Sequence, residues 1–419
     1  MFSNFKKKEN KRLLENFLSL TTLQIANYLL PLITIPYLIR VLGFEYYGLI
    51  AFALVIIEYF MLITNYGFEL TATREISINQ DNPIKLSEIF SSVMIIKFCF
   101  MLLSLFILII FIFSFERLYK DWIVYFFTFG MVIGNILFPA WFFQGIENMK
   151  YITVLNFISK LIFISLIFIF VKNPSDYYLV PLFTSIGYIF IGIISQIIIR
   201  KKFKVKFKIQ SLNKLKEYIV DGWHIFLSRV YVNLYTTTNV FLLGILTNNV
   251  QVGYYSVVEK IVLAIGKILD PLNQTLFPYL AKIYKNNKVL FKNKVNKISK
   301  LILLITITIF ICSFLAKEQI IYLITGKYNK EISFLLEIFL LRVITYPLAP
   351  LFANTLIIMK KNKSYLKVMN ITVLLNFFFV PISIYIWGAK GLVISFIFVI
   401  FIHVLLLFLE VRKSLNLEE

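Results

Sequence analysis

Long apolar runs separated by short polar connections dominate the chain. A helix needs about 20 mostly apolar residues to cross the hydrocarbon core of a bilayer, and the chain holds roughly twelve such runs. They cover residues 17–39, 46–66, 89–113, 121–142, 152–171, 178–199, 218–245, 253–281, 299–316, 332–358, 366–387 and 391–410. The pattern predicts an all-α polytopic membrane protein with about twelve transmembrane helices.

The composition of the 419 residues excludes a soluble core, because 59% are hydrophobic and only 16% are charged. Soluble domains average about 45–50% apolar and 25% charged residues. Cys99 and Cys312 both lie within apolar runs, which excludes a disulfide framework and a cysteine metal site. The basic N-terminal segment is not followed by a short apolar stretch with a cleavage site, so we expect the first helix to direct insertion.

The net charge of +21 is distributed unevenly among the connections. When the N-terminus is placed in the cytoplasm, most Lys and Arg residues outside the apolar runs fall on the cytoplasmic side. We therefore predict a multi-pass protein with both termini in the cytoplasm. The basic excess then serves topology and contact with anionic membrane lipids, and we expect no binding of nucleic acid.

The most basic connection, RKKFKVKFKIQSLNKLKEY, follows the sixth run and divides the chain into two halves. The predicted organisation is a basic cytoplasmic N-terminal segment (1–16), an N-lobe (17–199), a basic cytoplasmic linker (200–217), a C-lobe (218–410) and a cytoplasmic tail (411–419). The lobes share a weak internal similarity. LGFEYYGLIAFALVI resembles LTNNVQVGYYSVVEKIV, with Gly48 opposite Gly253. Two related halves are the organisation of many transporters.

The predicted spans contain the basic residues Lys97, Lys160, Arg229, Lys260, Lys267 and Arg342. Each costs about 2.5–3.5 kcal/mol at the bilayer centre on insertion scales. Lys97 and Lys260 lie about 10–12 Å into their spans, so their side chains can either snorkel towards water or line a functional cavity. Lys267 and Arg229 lie about 21 Å and 16 Å into theirs, which favours a cavity that binds a ligand. The alternative is an internal ion pair that only locks helices together.

Further polar residues extend the charged faces of these helices. Lys260 and Lys267 share one stripe of the eighth span, and the acidic residues of that span occupy the neighbouring stripe. The seventh span also carries polar stripes, as expected of helices that border a water-filled cleft. We expect cavity or ion-coupling roles for Glu58, Asp270, Glu259, His224 and Asn233.

Prolines predict bends close to these faces. Pro271 weakens the helical hydrogen bonding and biases Asp270 away from helical geometry, and Pro31 and Pro36 predict a flexible first span. Because basic residues within the spans outnumber acidic ones, the ligand should be anionic. A phosphate about 4 Å from one such cation gains roughly 4 kcal/mol at an intermediate dielectric, so several cations would select a pyrophosphate over a neutral sugar.

Four segments resemble recurring parts of the Wzx-type O-antigen and polysaccharide flippases of the multidrug/oligosaccharidyl-lipid/polysaccharide (MOP) exporter superfamily. They are LPLITIPYLIRVLGFEYYGLIAFA (30–53), NYGFELTATREIS (65–77), FPAWFFQGIENMKY (138–151) and VGYYSVVEKI (252–261). The resemblance implies two six-helix lobes in a V around a central cationic cavity. It also implies that an undecaprenyl-pyrophosphate-linked oligosaccharide moves from the cytoplasmic to the periplasmic leaflet of a bacterial inner membrane by alternating access.

The resemblance also implies roles for individual residues. Basic residues of the seventh and eighth spans would hold the pyrophosphate, here Arg229, Lys260 and Lys267, with Lys160 as a further candidate. Lysine in most of these positions favours point-charge attraction over bidentate recognition. Gate or helix-packing roles are expected for Arg40 and Arg74, in YLIRVLG and TATRE, and for Pro31 and Pro36.

Other functions stay open on the sequence alone. A lipid II flippase usually has two further spans, and a multidrug antiporter should line its cavity with carboxylates and aromatic rings. A membrane-embedded polysaccharide polymerase or ligase needs a large periplasmic loop. Without a Gly-rich phosphate loop, an HExxH motif or a nucleophile elbow, we expect a transporter rather than an enzyme. We expect no cofactor or metal, coupling to a proton or sodium gradient or to the membrane potential, a monomer, and a polysaccharide polymerase and chain-length regulator as partners.

Overall fold

The computed structural model describes the backbone of residues 2–416 and, within that range, all side chains except those of residues 2–29, 31, 235, 236, 271 and 274. The regular elements of this part of the chain are helices. The first nine are α1 (Phe2–Asn65), α2 (Phe68–Ile78), α3 (Pro83–Ser114), α4 (Glu116–Lys120), α5 (Trp122–Leu137), α6 (Ala140–Gly145), α7 (Lys150–Phe170), α8 (Leu179–Lys202) and α9 (Leu212–Thr236). A short 3-10 helix, Pro174–Tyr178, precedes α8.

The remaining helices follow in chain order. They are α10 (Thr238–Leu246), α11 (Asn249–Gly266), α12 (Asp270–Asn286), α13 (Lys288–Leu315), α14 (Lys317–Thr325), α15 (Lys330–Phe339), α16 (Arg342–Thr345), α17 (Leu348–Ile358) and α18 (Asn362–Asn416). A single predicted span, 332–358, is thus divided into α15, α16 and α17. Pro347 at the start of α17 explains one of these breaks, because proline cannot donate a helical hydrogen bond.

The described residues include eight stretches long and apolar enough to cross a membrane. They are Leu32–Ile78, Pro83–Ser114, Trp122–Gly145, Lys150–Phe170, Pro174–Lys202, Lys288–Leu315, Lys330–Ile358 and Asn362–Asn416. The first and last contain Gly43 and Gly388, whose φ angles of 77° and 58° interrupt the helix between pairs of predicted spans. Helices α9, α11 and α12, which carry many of the charged candidates, are not among the eight. The number of twelve crossings therefore stays a prediction.

Helix α18 is a hairpin that turns at Gly388. The side chains of Thr372 and His403, on its two limbs, form a hydrogen bond of 2.8 Å. Near the turn, the backbone of Gly391 lies directly against that of Ser383, where a Cβ would not fit. A left-handed φ at Gly388 carries no steric penalty because glycine has no Cβ.

The chain forms two compact units. Unit 1 comprises Met1–Leu30 and Ile50–Thr237, and unit 2 comprises Pro31–Leu49 and Thr238–Glu419. The two units are defined by which residues contact each other, whereas the lobes are predicted from the basic connection between the two halves of the chain. The lobe boundaries and the V-shaped arrangement therefore stay predictions. Unit 1 contains a core cluster rich in aromatic rings, including Phe68, Trp141, Phe142 and Phe143.

Unit 2 contains a close contact between α1 and α11. A Cβ at Gly48 would lie 2.7 Å from the backbone nitrogen of Gly253 and 2.8 Å from the carbonyl carbon of Asn249. A Cβ at Gly253 would collide with the carbonyl oxygen of Phe44. The rings of Phe44 and Tyr254 pack edge to face beside this crossing, at a centroid distance of 4.8 Å. The two glycines that the internal similarity aligns are therefore in direct contact.

Candidate functional site

The helix that carries Lys267 is interrupted at this residue. Helix α11 ends at Gly266, Lys267–Leu269 forms one 3-10 turn, and α12 begins at Asp270. Asp270 has helical φ and ψ angles of −58° and −41°, so the prediction that Pro271 drives it out of helical geometry is wrong. The 3-10 turn lies directly before Asp270. Pro271 is compatible with the first turn of α12 because no intrahelical hydrogen bond is lost there.

Four charged groups act on the ammonium group of Lys267: those of Asp270, Lys260, Arg342 and Glu259. Unit 2 thus brings together the four residues that the sequence placed on the eighth span. It adds Arg342 from α16, whose role the sequence left undecided. Lys267 and Asp270 are half-buried and Lys260 is exposed. We call these five residues the Lys267 cluster. With three basic and two acidic members, it carries an excess of positive charge.

Aromatic rings fix the positions of two members of this cluster. The guanidinium of Arg342 lies 5.0 Å from the ring centroid of Phe396, 5.6 Å from that of Phe339 and 5.8 Å from that of Tyr346. Such cation–π contacts gain strength where water is excluded. The hydroxyl of Tyr255 donates to Glu259 at 3.4 Å. Phe339 and Tyr346 flank Arg342 in the sequence, but Phe396 comes from α18, so sequence spacing alone could not give the full arrangement.

Unit 1 contains a separate cavity of about 220 Å³. Its lining includes three candidates from the sequence, Glu58, Arg229 and Asn233. It also includes Asn65 and Glu69, which are not among the residues predicted from the sequence. The guanidinium of Arg229 lies 3.6 Å from the carboxylate of Glu69, and both side chains are about half exposed. Two carboxylates and one guanidinium line this cavity, so the cationic excess expected of the binding site does not occur in its lining.

A buried lysine lies behind this cavity. Lys97 is 2% exposed, and its ammonium group donates to the side-chain oxygen of Asn65 at 2.9 Å. The charge of Glu69 also acts on it. Lys97 therefore does not snorkel to an exposed position, which corrects one of the two alternatives for this residue. The desolvated ammonium depends on Asn65 because a buried charge without partners is costly.

The turn that ends α1 explains how Glu69 reaches Arg229. Tyr66 and Gly67 have positive φ angles of 46° and 92°, and the ring of Tyr66 stacks on Phe226 of α9 at a centroid distance of 4.8 Å. A Cβ at Gly67 would lie 2.8 Å from the side chain of Ile225, so α2 begins in close contact with α9. Only a residue without a Cβ accommodates both this φ angle and this approach.

A second ion pair continues the contact between α2 and α9. The guanidinium of Arg74 lies 3.1 Å from Asp221 and 3.0 Å from Glu75. The two pairs, Glu69 with Arg229 and Arg74 with Asp221, join the helices in antiparallel order. Both are partly exposed, so each contributes about 1 kcal/mol or less to stability. Glu69 was missed because it follows the predicted end of the second span, although the segment NYGFELTATREIS contains it.

The other predicted residues lie outside both groups. Arg40 donates to the carbonyl oxygen of Leu323 at 2.6 Å, near the C-terminal end of α14, where a cation favours the helix dipole. Lys160 is half-buried on α7, and His224 is exposed on α9. Pro36 is half-buried in α1, and Pro31 lies outside the residues whose side chains are described. The assigned roles of all these residues stay predictions.

Comparison with known proteins places the chain in a family. Residues 13–284 match the model of the family Polysacc_synt, described as polysaccharide biosynthesis protein. The chain belongs to this family. A member from Shigella dysenteriae is 30% identical over 92% of the chain and 96% of its own length. One from Escherichia coli strain K12 is 31% identical over 65% of the chain and 66% of its own length. Each relative is named "Putative O-antigen transporter". The resemblance found in the sequence is thereby confirmed.

Solved structures show the fold of this family member. The lipid II flippase MurJ in an inward closed conformation matches with a TM-score of 0.74 at 17% identity, over 96% of this chain and 89% of its own. A multidrug resistance MATE transporter of the MOP superfamily, in an inward-facing conformation, matches with a TM-score of 0.69 at 13% identity, over 95% and 98%. The predicted fold class, an all-α membrane protein of the MATE and MOP type, is confirmed at this level.

Proposed function

We propose that the protein is a flippase for an undecaprenyl-pyrophosphate-linked oligosaccharide. It moves this lipid from the cytoplasmic to the periplasmic leaflet of a bacterial inner membrane and serves O-antigen or surface-polysaccharide synthesis. The family, the names of the two relatives and the four family-typical segments support the proposal. The names of the relatives and the structural neighbours make the chain a transporter rather than an enzyme.

The observation that carries the proposal is the Lys267 cluster. Lys267 lies in the helix break, and its ammonium group is within electrostatic range of the cations of Lys260 and Arg342 and of the carboxylates of Glu259 and Asp270. A phosphate about 4 Å from one of these cations gains roughly 4 kcal/mol at an effective dielectric of 20. The carboxylates neutralise the cations when no ligand is bound, and a pyrophosphate takes their place during transport.

In unit 1, Arg229 is a second contact for the anionic substrate. Its pairing with Glu69 at 3.6 Å is longer than a normal hydrogen bond, and both side chains are half exposed. A phosphate can therefore replace the carboxylate without breaking a buried ion pair. Glu58 and Glu69, the two carboxylates of this cavity, are the groups at which a coupling proton or sodium ion would bind.

The transport cycle that we propose is alternating access. The MATE transporter in its inward-facing form matches the chain with a TM-score of 0.69, and a MATE transporter in its outward-facing form matches with a TM-score of 0.60. The break at Lys267–Leu269 supplies a place where α11 and α12 can change their relative angle. Helix breaks beside binding sites are a recurring element of such carriers.

The test follows surface polysaccharide in the native host after deletion of its own copy. Lys267→Ala and Arg342→Ala should each abolish most of the polymer at normal protein level, because each removes a cation of the cluster. Lys267→Arg, which retains the charge, should restore part of the polymer. Lys363→Ala, which removes an exposed lysine at the start of α18, is the matched control and should not change it. Normal polymer in both alanine variants would overturn the proposed site.

Two further measurements separate the alternatives. A multidrug transporter would change the resistance of the host to cationic drugs. A lipid II flippase would support growth of cells that lack their own lipid II flippase. We expect neither effect. If either appears while surface polysaccharide stays normal in the deletion strain, the substrate assignment is wrong.

A further inference from the structure

A cavity of about 290 Å³ lies in unit 2 between the first turns of α13 and the last turns of α18. This volume is close to the lower limit of small-molecule pockets, about 300 Å³. Its polar lining consists of Lys292, Asn296, Ser299, Arg412 and Asn416. Two cations, two amides and a hydroxyl therefore face one cavity, and among the side chains that line it none is acidic. This is a set of groups suited to a phosphate.

One contact shapes the polar end of the cavity. The ammonium group of Lys292 donates to the side-chain oxygen of Asn416 at 3.1 Å. This bond orients the ammonium group of Lys292, which has three donors, at the polar end of the cavity. Lys292, Asn296 and Ser299 are spaced at helical intervals on α13, which places their side chains on one face.

The rest of the lining is apolar and largely buried. Val295, Val411 and Leu415 are 1%, 2% and 6% exposed, and the rings of Phe352 and Phe408 pack at a centroid distance of 5.6 Å. A free phosphate compound gains nothing from such walls. A molecule with a phosphate at one end and hydrocarbon at the other uses both parts of the cavity.

The apolar walls continue onto surfaces that face away from the protein. Helix α13 is the least buried of the eight candidate membrane helices, with 11% of its most apolar stretch buried. Its next turns expose Leu303, Leu304 and Ile307, and α18 exposes Leu405 and Leu409 beside the cavity. Hydrocarbon chains that leave the cavity would lie along these side chains, as they do on any lipid-facing helix.

We propose that this cavity binds the headgroup phosphate of an anionic phospholipid, whose acyl chains follow α13 and α18. The residues involved are not those assigned to transport, so the site holds a structural or regulatory lipid rather than the cargo. The charge bias predicts that this end of the two helices faces the cytoplasm, where anionic lipids attract basic residues. Lys292 and Arg412 bind the phosphate, and the amides of Asn296 and Asn416 donate hydrogen bonds to it. The hydroxyl of Ser299, which donates to the backbone carbonyl of Asn296 at 3.1 Å, lines the cavity.

The experiment uses the purified full chain in uncharged detergent after removal of native lipid. The unfolding temperature is measured against increasing dioleoyl phosphatidylglycerol, dioleoyl phosphatidylcholine or glycerol 1-phosphate. We expect a saturable rise with phosphatidylglycerol, a much smaller one with phosphatidylcholine, and none with glycerol phosphate at equal concentration. An equal rise of the unfolding temperature with glycerol phosphate would show that the cavity binds a soluble phosphate compound and not a lipid. No rise with phosphatidylglycerol would exclude the lipid site.

A matched pair of variants tests the location. The double variant Lys292→Ala with Arg412→Ala should weaken phosphatidylglycerol binding by about 30-fold, since each basic residue near a lipid surface is worth roughly 1 kcal/mol. Lys297→Ala with Lys413→Ala removes the same charge from the same helices at exposed positions outside the lining. This control should bind normally. Equal weakening in both double variants would mean that only the overall charge matters.

A third variant protects the test against loss of folding. Ser299→Phe leaves the charge unchanged and fills the cavity, so it should lose the response to phosphatidylglycerol while keeping its unfolding temperature in lipid-free detergent. A normal response in Ser299→Phe would overturn the proposal even if the double alanine variant cannot be purified.

Discussion

The contact of Gly48 with Gly253 allows a quantitative prediction. The methyl carbon (Cβ) of an alanine at position 48 would lie 2.7 Å from the nitrogen of Gly253 and 2.8 Å from the carbonyl carbon of Asn249. Ordinary van der Waals contact begins at 3.4 Å. The atoms in the way belong to the backbone, so no side-chain rotation relieves the clash. Gly48→Ala therefore requires α1 and α11 to move apart locally.

The expected cost follows from this displacement. The two distances fall short of ordinary contact by 0.7 Å and 0.6 Å, and the carbonyl oxygen of Asn249 is closer still. If α1 and α11 move apart by 0.5–1 Å, each van der Waals contact along their crossing loses roughly a quarter to a half of its attraction. Overpacking of a tight interior costs about 1–3 kcal/mol, and a contact with backbone belongs at the upper end. We expect about 3 kcal/mol for Gly48→Ala and a similar value for Gly253→Ala.

The double variant sharpens the prediction. One separation of the helices relieves both clashes, so Gly48→Ala with Gly253→Ala should cost about 3–4 kcal/mol, well below the sum of the single changes. The free energy of unfolding is measured by titration with sodium dodecyl sulfate in mixed micelles, followed by circular dichroism. Gly266→Ala at the end of α11 is the control, because the nearest neighbours of its methyl group would be side-chain atoms of Tyr346, at 3.1–3.5 Å, and not backbone. Wild-type stability in Gly48→Ala would refute the reasoning.

Three further predictions concern unit 1 and the turn of α18. Asn65→Leu should destabilise the protein by about 2 kcal/mol or more, because it leaves the Lys97 ammonium without its acceptor. Lys97→Met removes the buried charge and should be neutral or stabilising. The reverse order of stabilities in an unfolding titration would contradict this prediction. Glu69→Gln should change the free energy of unfolding by less than about 1 kcal/mol, because the ion pair of Glu69 with Arg229 is half exposed. A larger loss would mean that this ion pair stabilises the fold. Gln251→Leu should cost about 1–3 kcal/mol, since its side-chain oxygen accepts from the backbone amide of residue 389 at 3.0 Å, and Gln251→Glu should recover most of that stability in the same titration.

The sequence predicted the broad layout because apolar runs and glycines carry that information locally. Both Gly43 and Gly388 interrupt helices between predicted spans, as the pattern required. The alignment of Gly48 with Gly253 was also visible in the sequence. That they touch was not, because similarity between two segments does not place them in space. Pro271 pointed to the region of the break, but the interruption lies at Lys267–Leu269, directly before Asp270, and Asp270 itself is helical.

The candidate site was predictable only where a single helix defines it. Lys260 and Lys267 share the eighth span, so helical spacing sufficed to group them. Arg342 joins them through tertiary packing, with aromatic rings from α15 and α18. Glu69 reaches Arg229 through a turn with two positive φ angles. No local pattern of hydrophobic and polar residues encodes either arrangement.

The hairpin of α18 has a consequence for how the chain enters the membrane. Its limbs are joined through Gly388 alone, so no polar loop has to pass through the bilayer when the two limbs insert. The charged residue nearest to the turn in sequence is Lys390, whose ammonium group in the folded protein lies 2.9 Å from the carboxylate of Glu331. With the predicted cytoplasmic C-terminus, insertion of the hairpin as one piece carries the single charge of Lys390 across the bilayer. Lengthening the turn with charged residues should slow biogenesis even where the finished protein tolerates them.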